Sequence, residues 1–291
     1  MSKTVTLYLI STGFSSNTQE RIALLETACQ QRGIPCVILE STSADRLALP
    51  TLQPGDALYN ATREGLRLEE ELWRPGVATF YTAGPPLGLQ DTTRWLAAHS
   101  RAGLAQPRTV AHATADRALL ARYAEHLGGY PLVLKTAGGT LGTGVMRVDS
   151  HAALLSLADY LVATGANFLL REYLESTGTA RLMVVGHEVV GALEYDNPPA
   201  DFRSNAAPDL HPRLVSVSAE AEALAVAAVH TAGVEMGGVD LLYDQQGCPQ
   251  LLEMNIPCGF ATFPKLGIDV PGRMVEHLFQ KASLLRHAHP H

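Results

Sequence analysis

The amino-acid sequence predicts a mixed fold, in which an α/β lobe built on a parallel sheet is followed by two α+β lobes. Three observations support this prediction. The chain has 291 residues, which is more than one hydrophobic core usually serves. Near its start, strand-like apolar runs alternate with helical segments, as in parallel sheets. Further along, apolar runs come in pairs joined by short turns, as in antiparallel hairpins.

The first lobe is expected to span residues 1–88. A helix over residues 18–31 is predicted because its apolar residues recur on one side. Short apolar runs around and after this helix predict strands over residues 5–10, 34–40, 56–60 and 77–81. Strands that alternate with helices imply a parallel sheet with helices on its faces.

The second lobe is expected to span residues 89–167. Helices are predicted over residues 92–102 and 151–164, and a further helix runs to residue 127 after a cap at Thr114 or Asp116. Between the last two helices, two strands enclose a glycine-rich loop. The predicted strands cover residues 131–135 and 145–149. This arrangement indicates a hairpin flap.

The third lobe is expected to span residues 168–291. It begins with a strand over residues 167–174, and residues 181–195 predict a hairpin that turns at Gly186 and His187. A helix over residues 219–232 follows. A second hairpin is predicted from residues 238–244 and 249–255.

Composition excludes several classes of protein. The net charge of −7 lacks the basic field that nucleic-acid binding requires, so no nucleic-acid partner is expected. No run approaches the length of a membrane span, and the N-terminus does not resemble a signal peptide, so a cytoplasmic protein without a membrane partner is predicted. The four cysteines show no metal-site spacing and are expected to be reduced.

Lys135 is the first candidate for chemistry. It ends an apolar strand and directly precedes the glycine-rich run at residues 136–144. Glycines let backbone N–H groups approach phosphate oxygens closely, and a lysine beside them adds positive charge. The spacing matches neither a Walker A loop nor a G-x-G-x-x-G motif with a helix behind it. Taken alone, the pattern fits phosphate binding and a glycine-rich hairpin with a solvated lysine about equally well.

A second candidate site combines Asp240, Glu253 and Asn255. Glu253 and Asn255 are two apart on a predicted strand and therefore share a face, while Asp240 lies on the neighbouring strand of the hairpin. Carboxylate and amide oxygens suit Mg²⁺. The alternative is a polar, outward-facing hairpin. It is disfavoured because leucines flank the acids, and acids in strands that also pack are costly unless paired or metal-bound.

Arg203 is the third candidate, in the polar stretch at residues 201–205. Its guanidinium suits bidentate binding of a phosphate or carboxylate. Taken alone, the position is better explained by an arginine in a surface loop.

Together these features resemble the ATP-grasp enzymes, and among them the RimK-type ligases that add glutamate to a ribosomal protein. The resemblance runs from about Asp91 to His277. It is carried by PLVLKTAGGTLGTGV, LLREYLES, RLMVVGHEVVGALE, DFRSN, GGVDLL and LLEMNIPCGF. It implies an ATP-grasp fold, with a Rossmann-like N-terminal lobe and two α+β lobes that clamp ATP. The N-terminal lobe agrees only at the level of fold.

The resemblance also implies cofactors and site residues. The cofactors are ATP and Mg²⁺, with Mn²⁺ as an alternative, and Asp240, Glu253 and Asn255 match the metal ligands. The residues implied at ATP are Lys135 at the α- and β-phosphates, Gly138, Gly139, Gly142 and Gly144 in the flap, Glu172, Tyr173 and Leu174 at the adenine hinge, Thr179 near the ribose and Leu252 beneath the adenine. Arg203 matches an arginine near the γ-phosphate and the acyl-phosphate, with Asn205 beside it.

The implied reaction is the ATP-dependent joining of an acid to an amine. A substrate carboxylate attacks the γ-phosphoryl group, while magnesium, Lys135 and Arg203 offset the developing charge. An amine then attacks the acyl-phosphate, which gives an amide, ADP and phosphate. The flap keeps water out.

Four departures from the family pattern bear on detail. Thr92 stands where a first ATP lysine is usual, with Arg94 nearby, and Thr179 stands where an acid usually holds the ribose. Residues 206–210 replace a basic, glycine-rich run, which indicates a different substrate from that of the ribosomal-protein ligase. Cys258 lies in an unusual turn near the implied acyl-phosphate. It lines the amine pocket, acts as a nucleophile, or is a small packed residue, and packing is the simplest of the three.

Three hypotheses of function follow. The first is a ligase for a small-molecule acid and amine, such as an amino acid or small peptide. The second is a ligase that modifies a peptide or carrier protein. The third, motivated by Thr92 and Thr179, is a degenerate ATP-grasp module that binds nucleotide without turnover. A homodimer is left open, since members of the family are often dimers or larger.

Overall fold

The computed structural model describes residues 5–13, 15–62, 64–85, 93–136, 142–199, 201–204 and 211–288. Within these residues the chain forms twelve strands in three sheets and eight helices. No helix in the described part of the chain is long and apolar enough to cross a membrane.

The first sheet is parallel, as predicted. Its strands β1 (Leu7–Ser11), β2 (Cys36–Glu40) and β3 (Ala57–Asn60) lie in the order β2-β1-β3. Helix α1 (Ser16–Gln31) confirms the predicted helix and packs its apolar side on β1, whereas α2 (Leu66–Leu72) was not expected from the sequence. The carboxyl ends of the three strands meet at one edge, where open α/β sheets bind ligands.

The strand predicted over residues 77–81 is wrong. This segment makes only isolated bridges, from Ala78 to Ala57 and from Tyr81 to Val234. Ala78 exchanges backbone hydrogen bonds with the edge of β3, while the carbonyl oxygen of Phe80 accepts from the N–H of Glu235. Because the segment crosses from one sheet to another, it cannot form a continuous ladder with either.

The second sheet has the order β4-β7-β5-β6 and is antiparallel. Along the chain, this region contains α3 (Thr93–Arg101), β4 (Thr109–Val110), α4 (Arg117–His126), β5 (Leu132–Thr136), β6 (Val145–Val148), α5 (His151–Ala163) and β7 (Phe168–Glu172). Helix α3 packs on α6 (Ala219–Thr231) of the third lobe. Asp116 caps α4, since its Oδ1 accepts a hydrogen bond from the N–H of Leu119 at 2.9 Å. The hairpin of β5 and β6 confirms the predicted flap strands.

The third sheet has the order β10-β9-β8-β11-β12, and its described pairs are antiparallel. Its elements and the helices around it are β8 (Gly178–Val185), β9 (Glu188–Asp196), β10 (Arg213–Leu214), α6 (Ala219–Thr231), β11 (Met236–Tyr243), β12 (Pro249–Asn255), α7 (Thr262–Lys265) and α8 (Val270–Ala288). Both predicted hairpins are present. Helix α8 packs on α1 and ties this lobe to the first.

The boundaries at residues 88 and 167 remain predictions. Strand β7 pairs with β4 and β5 and therefore belongs to the second sheet. This pairing favours an end of the second lobe between β7 and β8, at residues 173–177, rather than at residue 167.

The first lobe contains a buried acid that is separate from the candidate site. Glu69 on α2 is 1% exposed, and its Oε2 accepts hydrogen bonds from Nδ2 of Asn60 at 3.0 Å and from the hydroxyl of Tyr81 at 3.5 Å. Burial raises the pKa of Glu69 to about 7, although both hydrogen bonds act in the opposite direction. In the folded protein, Glu69 therefore stays protonated at pH values well above those at which an exposed glutamate ionises.

We expect Glu69→Gln to stabilise the protein at about pH 8 but not at about pH 4.5. A raised carboxyl pKa contributes stability that is present below the unfolded pKa and is lost as the pH rises through the folded pKa. The difference between the two pKa values corresponds to about 3 kcal/mol. Melting temperatures of the wild type and the variant at both pH values test this, with exposed Glu70→Gln as the matched control. Equal shifts for both variants would contradict it.

Candidate active site between the second and third sheets

Lys135 lies on the cleft face of the second sheet. Its neighbours Leu132 and Leu134 point into the core beneath α4 and α5, so the alternation of the strand sends Lys135 to the opposite face. There its Nζ lies 2.5 Å from Oε2 of Glu253 on β12. Each side chain is about a quarter exposed, at 26% and 25%. The structure thus brings together two residues that the sequence placed in separate motifs.

Glu253 and Asn255 share a face of β12, as their spacing predicts. Nδ2 of Asn255 donates to Oε1 of Glu253 at 3.0 Å. Burial alone would raise the pKa of Glu253, but the charge and hydrogen bond of Lys135, with help from Asn255, lower it to about 2. The side chain is therefore a carboxylate at any physiological pH.

Asp240 lies opposite Glu253 on the adjacent strand β11. Its side chain forms a two-point contact with Arg181 of β8, with Nε to Oδ1 at 2.7 Å and Nη2 to Oδ2 at 2.6 Å. Burial raises the pKa of Asp240, and Arg181 opposes this. The sequence analysis missed Arg181, although its place in the β8–β9 hairpin, next to the strand of Asp240, was a usable signal.

The three predicted metal ligands are therefore neighbours. Their donor set consists of two carboxylates and one amide, and hard oxygen donors of this kind fit Mg²⁺. Among the described residues, no group of three or more His, Cys, Asp or Glu side chains is arranged to hold a metal. A metal at Asp240 would share that carboxylate with Arg181. The ligand assignment remains a prediction.

The predicted adenine hinge follows β7. Both carboxylate oxygens of Glu172 contact Arg108, since Oε1 accepts from the backbone N–H at 2.6 Å and Oε2 from Nε at 2.6 Å. An adenine bound at this position would contact the backbone of the hinge, or it would have to displace Arg108 from the carboxylate of Glu172. The resemblance implies that the backbone and the acid of this hinge read the adenine, and that role remains a prediction.

Tyr173 connects the hinge to the flap and to the polar loop. Its ring lies 4.7 Å from the guanidinium carbon of Arg147 on β6, which is a cation–π distance. The ring of Phe202 packs edge-on against it at 6.0 Å. Leu174 follows directly and is half-buried.

Arg203 links the polar loop to the flap. Its Nη2 pairs with Oδ2 of Asp201 at 2.6 Å, and its Nη1 donates to the carbonyl oxygen of Gly142 at 2.9 Å. Gly142 and Gly144 both have positive φ, at 74° and 80°, and a Cβ at Gly144 would clash with Oγ1 of Thr136. The glycines are therefore needed for the turn that closes the flap.

Thr179 contacts the same polar loop. Its Oγ1 lies 2.5 Å from Oγ of Ser204, which anchors residues 201–204 to β8. Gly138, Gly139, Asn205 and Thr92 lie outside the described residues, as do residues 206–210 and the side chain of Arg94. Their predicted roles stay predictions.

Leu252 lies next to a buried arginine that the sequence analysis also missed. Its carbonyl oxygen accepts from Nη1 of Arg171 at 2.9 Å, while Nε of Arg171 donates to Oγ1 of Thr109 at 2.9 Å. Burial lowers the pKa of Arg171 to about 10, against the opposing charges of Glu253 and Glu172. This side chain therefore connects β7 of the second sheet to β12 of the third sheet.

Cys258 lies in the core below the candidate site. Its thiol is 2% exposed, and its Sγ lies 3.7 Å from Sδ of Met183. Burial raises the pKa of Cys258 to about 11, although Arg181 and Arg21 act in the opposite direction. The thiol therefore stays protonated at neutral pH, which favours the packing interpretation over a nucleophile.

We expect iodoacetamide to label exposed Cys248 quickly and Cys258 negligibly at neutral pH, because alkylation needs an accessible thiolate. Mass spectrometry of peptides from the folded protein measures both rates. Unfolding in denaturant provides the control, since it should make the two thiols equally reactive. Fast labelling of Cys258 in the folded protein would restore the nucleophile hypothesis.

The arrangement joins a lysine, two acids and an amide at the contact of two sheets, beneath a hairpin that Arg203 holds. Such a site can place positive charge and hard oxygen ligands around a polyphosphate. It has no described histidine or reactive thiol to serve as a nucleophile, so its chemistry rests on positioning and electrostatics.

The family model of the RimK-like ATP-grasp domain matches residues 91–278. A probable alpha-L-glutamate ligase of Serratia proteamaculans (strain 568) is 36% identical over 196 residues, which cover 66% of this chain and 64% of that protein. The ribosomal protein bS6–L-glutamate ligase of Salmonella paratyphi B (strain ATCC BAA-1250 / SPB7) is 33% identical over 198 residues, 67% of this chain and 65% of that one. The chain thus spans less than two thirds of the length of these curated relatives.

Solved structures share the fold along nearly the whole chain. D-cycloserine synthetase DcsG superposes with a TM-score of 0.73 at 18% identity, over 95% of this chain and 99% of that one. The ATP-grasp ligase PsnB with its minimal precursor gives a TM-score of 0.72 at 17% identity, over 96% and 100%. The D-alanine–D-alanine ligase of Bacillus anthracis with ATP gives 0.71 at 13% identity, over 99% of each chain. The predicted ATP-grasp fold is confirmed.

Proposed function

This chain belongs to the RimK-like ATP-grasp family, and we propose that it is an ATP-dependent carboxylate–amine ligase that forms an amide through an acyl-phosphate. The products are the amide, ADP and phosphate. A degenerate module that binds nucleotide without turnover is the competing hypothesis.

The observation that carries the proposal is the contact between Lys135 and Glu253 at 2.5 Å. This contact joins the second sheet, which carries the flap hairpin, to the third sheet. Asn255 and Asp240 lie beside Glu253 at the same place. A lysine and a set of oxygen ligands that face one another across a cleft suit a nucleotide whose phosphates lie between them. A module that merely bound nucleotide would not require the complete set.

The residues of the chain divide the chemistry between them. Lys135 would stabilise negative charge on the phosphates, and Arg203 would do so at the transferred phosphoryl group. Glu253, Asn255 and Asp240 would hold Mg²⁺, which neutralises charge on the phosphate oxygens when bound. Arg181 would orient Asp240 through its two hydrogen bonds.

The flap would protect the acyl-phosphate from water. Arg203 and Tyr173 both contact the flap hairpin, through Gly142 and Arg147 respectively. These contacts couple closure of the hairpin to the loop at residues 201–204 and to the hinge. Exclusion of water strengthens the electrostatic interactions inside the site and prevents hydrolysis of the intermediate.

The substrates proposed first are an amino acid or small peptide as amine and a small carboxylic acid. The names of two relatives, which are glutamate ligases, support an amino acid. A peptide or protein acceptor is the alternative, and it is supported by the name of the bS6 ligase and by the structures of PsnB with precursor peptides. The same proposal includes a cytoplasmic location. It also includes the use of Mg²⁺, which a PsnB structure contains together with ADP.

The proposal is tested by incubating the purified protein with ATP and Mg²⁺ and pooled acids, amino acids and dipeptides, and by measuring phosphate release and new masses. ADP together with a new amide mass would establish the ligase. ADP without an amide would show activation of the acid with the amine absent. Nucleotide binding without ADP in any pool, including short peptides, would favour the degenerate module.

A further inference from the structure

An arginine of the first lobe reaches the loop that follows the candidate site. Arg21 lies on α1, in the half of the helix nearest the carboxyl end of β1. Its Nη1 donates to the carbonyl oxygen of Cys258 at 3.1 Å, and its Nη2 donates to Oγ1 of Thr18 at 3.0 Å. Cys258 follows Asn255 by three residues, so the guanidinium contacts the loop that begins directly after the predicted metal ligands.

The charge of Arg21 is not neutralised by the described part of the protein. None of the ion pairs among the described residues includes it. Its Nε donates to the carbonyl oxygen of Asn17 at 3.2 Å, so three of the five N–H groups of the guanidinium are used. One N–H remains on each terminal nitrogen, and each can donate a charge-assisted hydrogen bond to a carboxylate oxygen.

A second donor lies at the same carboxyl edge of the parallel sheet. Tyr59 is at the carboxyl end of β3 and is only 4% exposed, yet its buried hydroxyl has no hydrogen-bond partner among the residues that the structure describes. Burial raises the pKa of Tyr59, and the nearby charges of Cys258 and Arg21 act on it in opposite directions. A buried hydroxyl left without a partner is costly, so a group that accepts a hydrogen bond there would stabilise the protein.

Both residues occupy the position where α/β sheets bind ligands. Arg21 lies on the helix that follows β1, and Tyr59 lies near the end of β3. Both are on the side of the parallel sheet where its strands end, and Arg21 contacts the loop of Cys258 from there. The family match begins only at residue 91, so the pair belongs to the part of the chain that the family does not define.

We propose that Arg21 and Tyr59 anchor a substrate carboxylate that is not the one phosphorylated. One substrate is then either a dicarboxylic acid or an amine with a free carboxylate, such as an amino acid. The proposal rests on the ligase function for its context. The anchor would select substrates by this second anionic group and would hold the reacting atoms near Asn255.

The test is calorimetric binding in the presence of Mg²⁺ and a non-hydrolysable ATP analogue. Glutarate is compared with its monoamide, and L-glutamate with its α-amide. The wild type is expected to bind the more anionic member of one pair about tenfold or more tightly, because a charge-assisted pair is replaced by a neutral contact. Arg21→Met should remove this preference, Arg21→Lys should keep part of it, and Tyr59→Phe should weaken it a few-fold.

Arg117→Met is the matched control, because Arg117 pairs with Asp159 on the exposed surface of the second lobe. It should behave as the wild type, and melting temperatures show that each variant is folded. If only glutarate binds more tightly than its monoamide, the anchor holds the acid substrate. If only L-glutamate binds more tightly than its α-amide, the anchor holds the amine substrate. The proposal is overturned if the wild type shows no preference in either pair, or if Arg21→Met and Arg21→Lys retain it in full.

The two proposals fail separately. If the preference depends on Arg21 but no acid and amine yield ADP, the ligase function fails and the anchor stands. If the protein is an active ligase and Arg21→Met leaves the KM of both substrates unchanged, the anchor fails and the ligase function stands.

Discussion

Replacing Glu253 by Gln is expected to lower ATP-dependent amide formation about a hundredfold or more, which is about 3 kcal/mol of transition-state stabilisation. The substitution keeps the shape of the side chain but removes an anionic oxygen from the predicted Mg²⁺ site and the counter-charge of Lys135. ADP formation measured across a range of Mg²⁺ concentrations tests this. We expect excess Mg²⁺ to restore the rate only in part.

The control for Glu253→Gln is Glu194→Gln on β9. Glu194 is also ion-paired, with Arg213 at 3.0 Å, but it faces the short edge strand β10 of the same sheet and its side chain is 34% exposed. This variant should retain the wild-type rate, since exposed pairs contribute little. Activity of Glu253→Gln within a few-fold of wild type, with the protein folded, would contradict the metal assignment.

Replacing Lys135 by Met is expected to have the second large effect. It removes the positive charge on the cleft face of β5, so we expect nucleotide affinity to fall about tenfold and turnover to fall about a hundredfold. Titration with a fluorescent ATP analogue measures the first quantity, and steady-state ADP formation measures the second. Lys135→Arg should recover part of the binding, because it keeps the charge with a different geometry.

Lys265→Met is the matched control for this lysine. Lys265 pairs with Glu20 at 2.8 Å and is 66% exposed, so its loss should leave both quantities unchanged. Because Lys135 and Glu253 contact each other, the double variant should lose less than the sum of the two single losses. Additive losses would show that the contact does not persist in the working enzyme.

The sequence by itself determined the parallel sheet of the first lobe, the hairpins of the other two sheets and much of the candidate site. The spacing of two along β12 placed Glu253 and Asn255 on one face, and the pairing of β11 with β12 brought Asp240 opposite them. Motifs from residue 131 to residue 260 identified the family, and the match over residues 91–278 confirms it. These features could be read from the sequence because strand alternation and hairpin pairing are local properties.

Only the tertiary structure decided which partners these residues have. The contacts of Glu172 with Arg108, of Asp240 with Arg181, and of Cys258 with Arg21 all join different elements. The sequence also did not show that residues 77–81 run from the first sheet to the third, because their apolar composition is equally typical of a strand. The physical reason is that periodicity specifies which face of an element a side chain occupies, whereas the packing of lobes far apart in the chain specifies what that face meets.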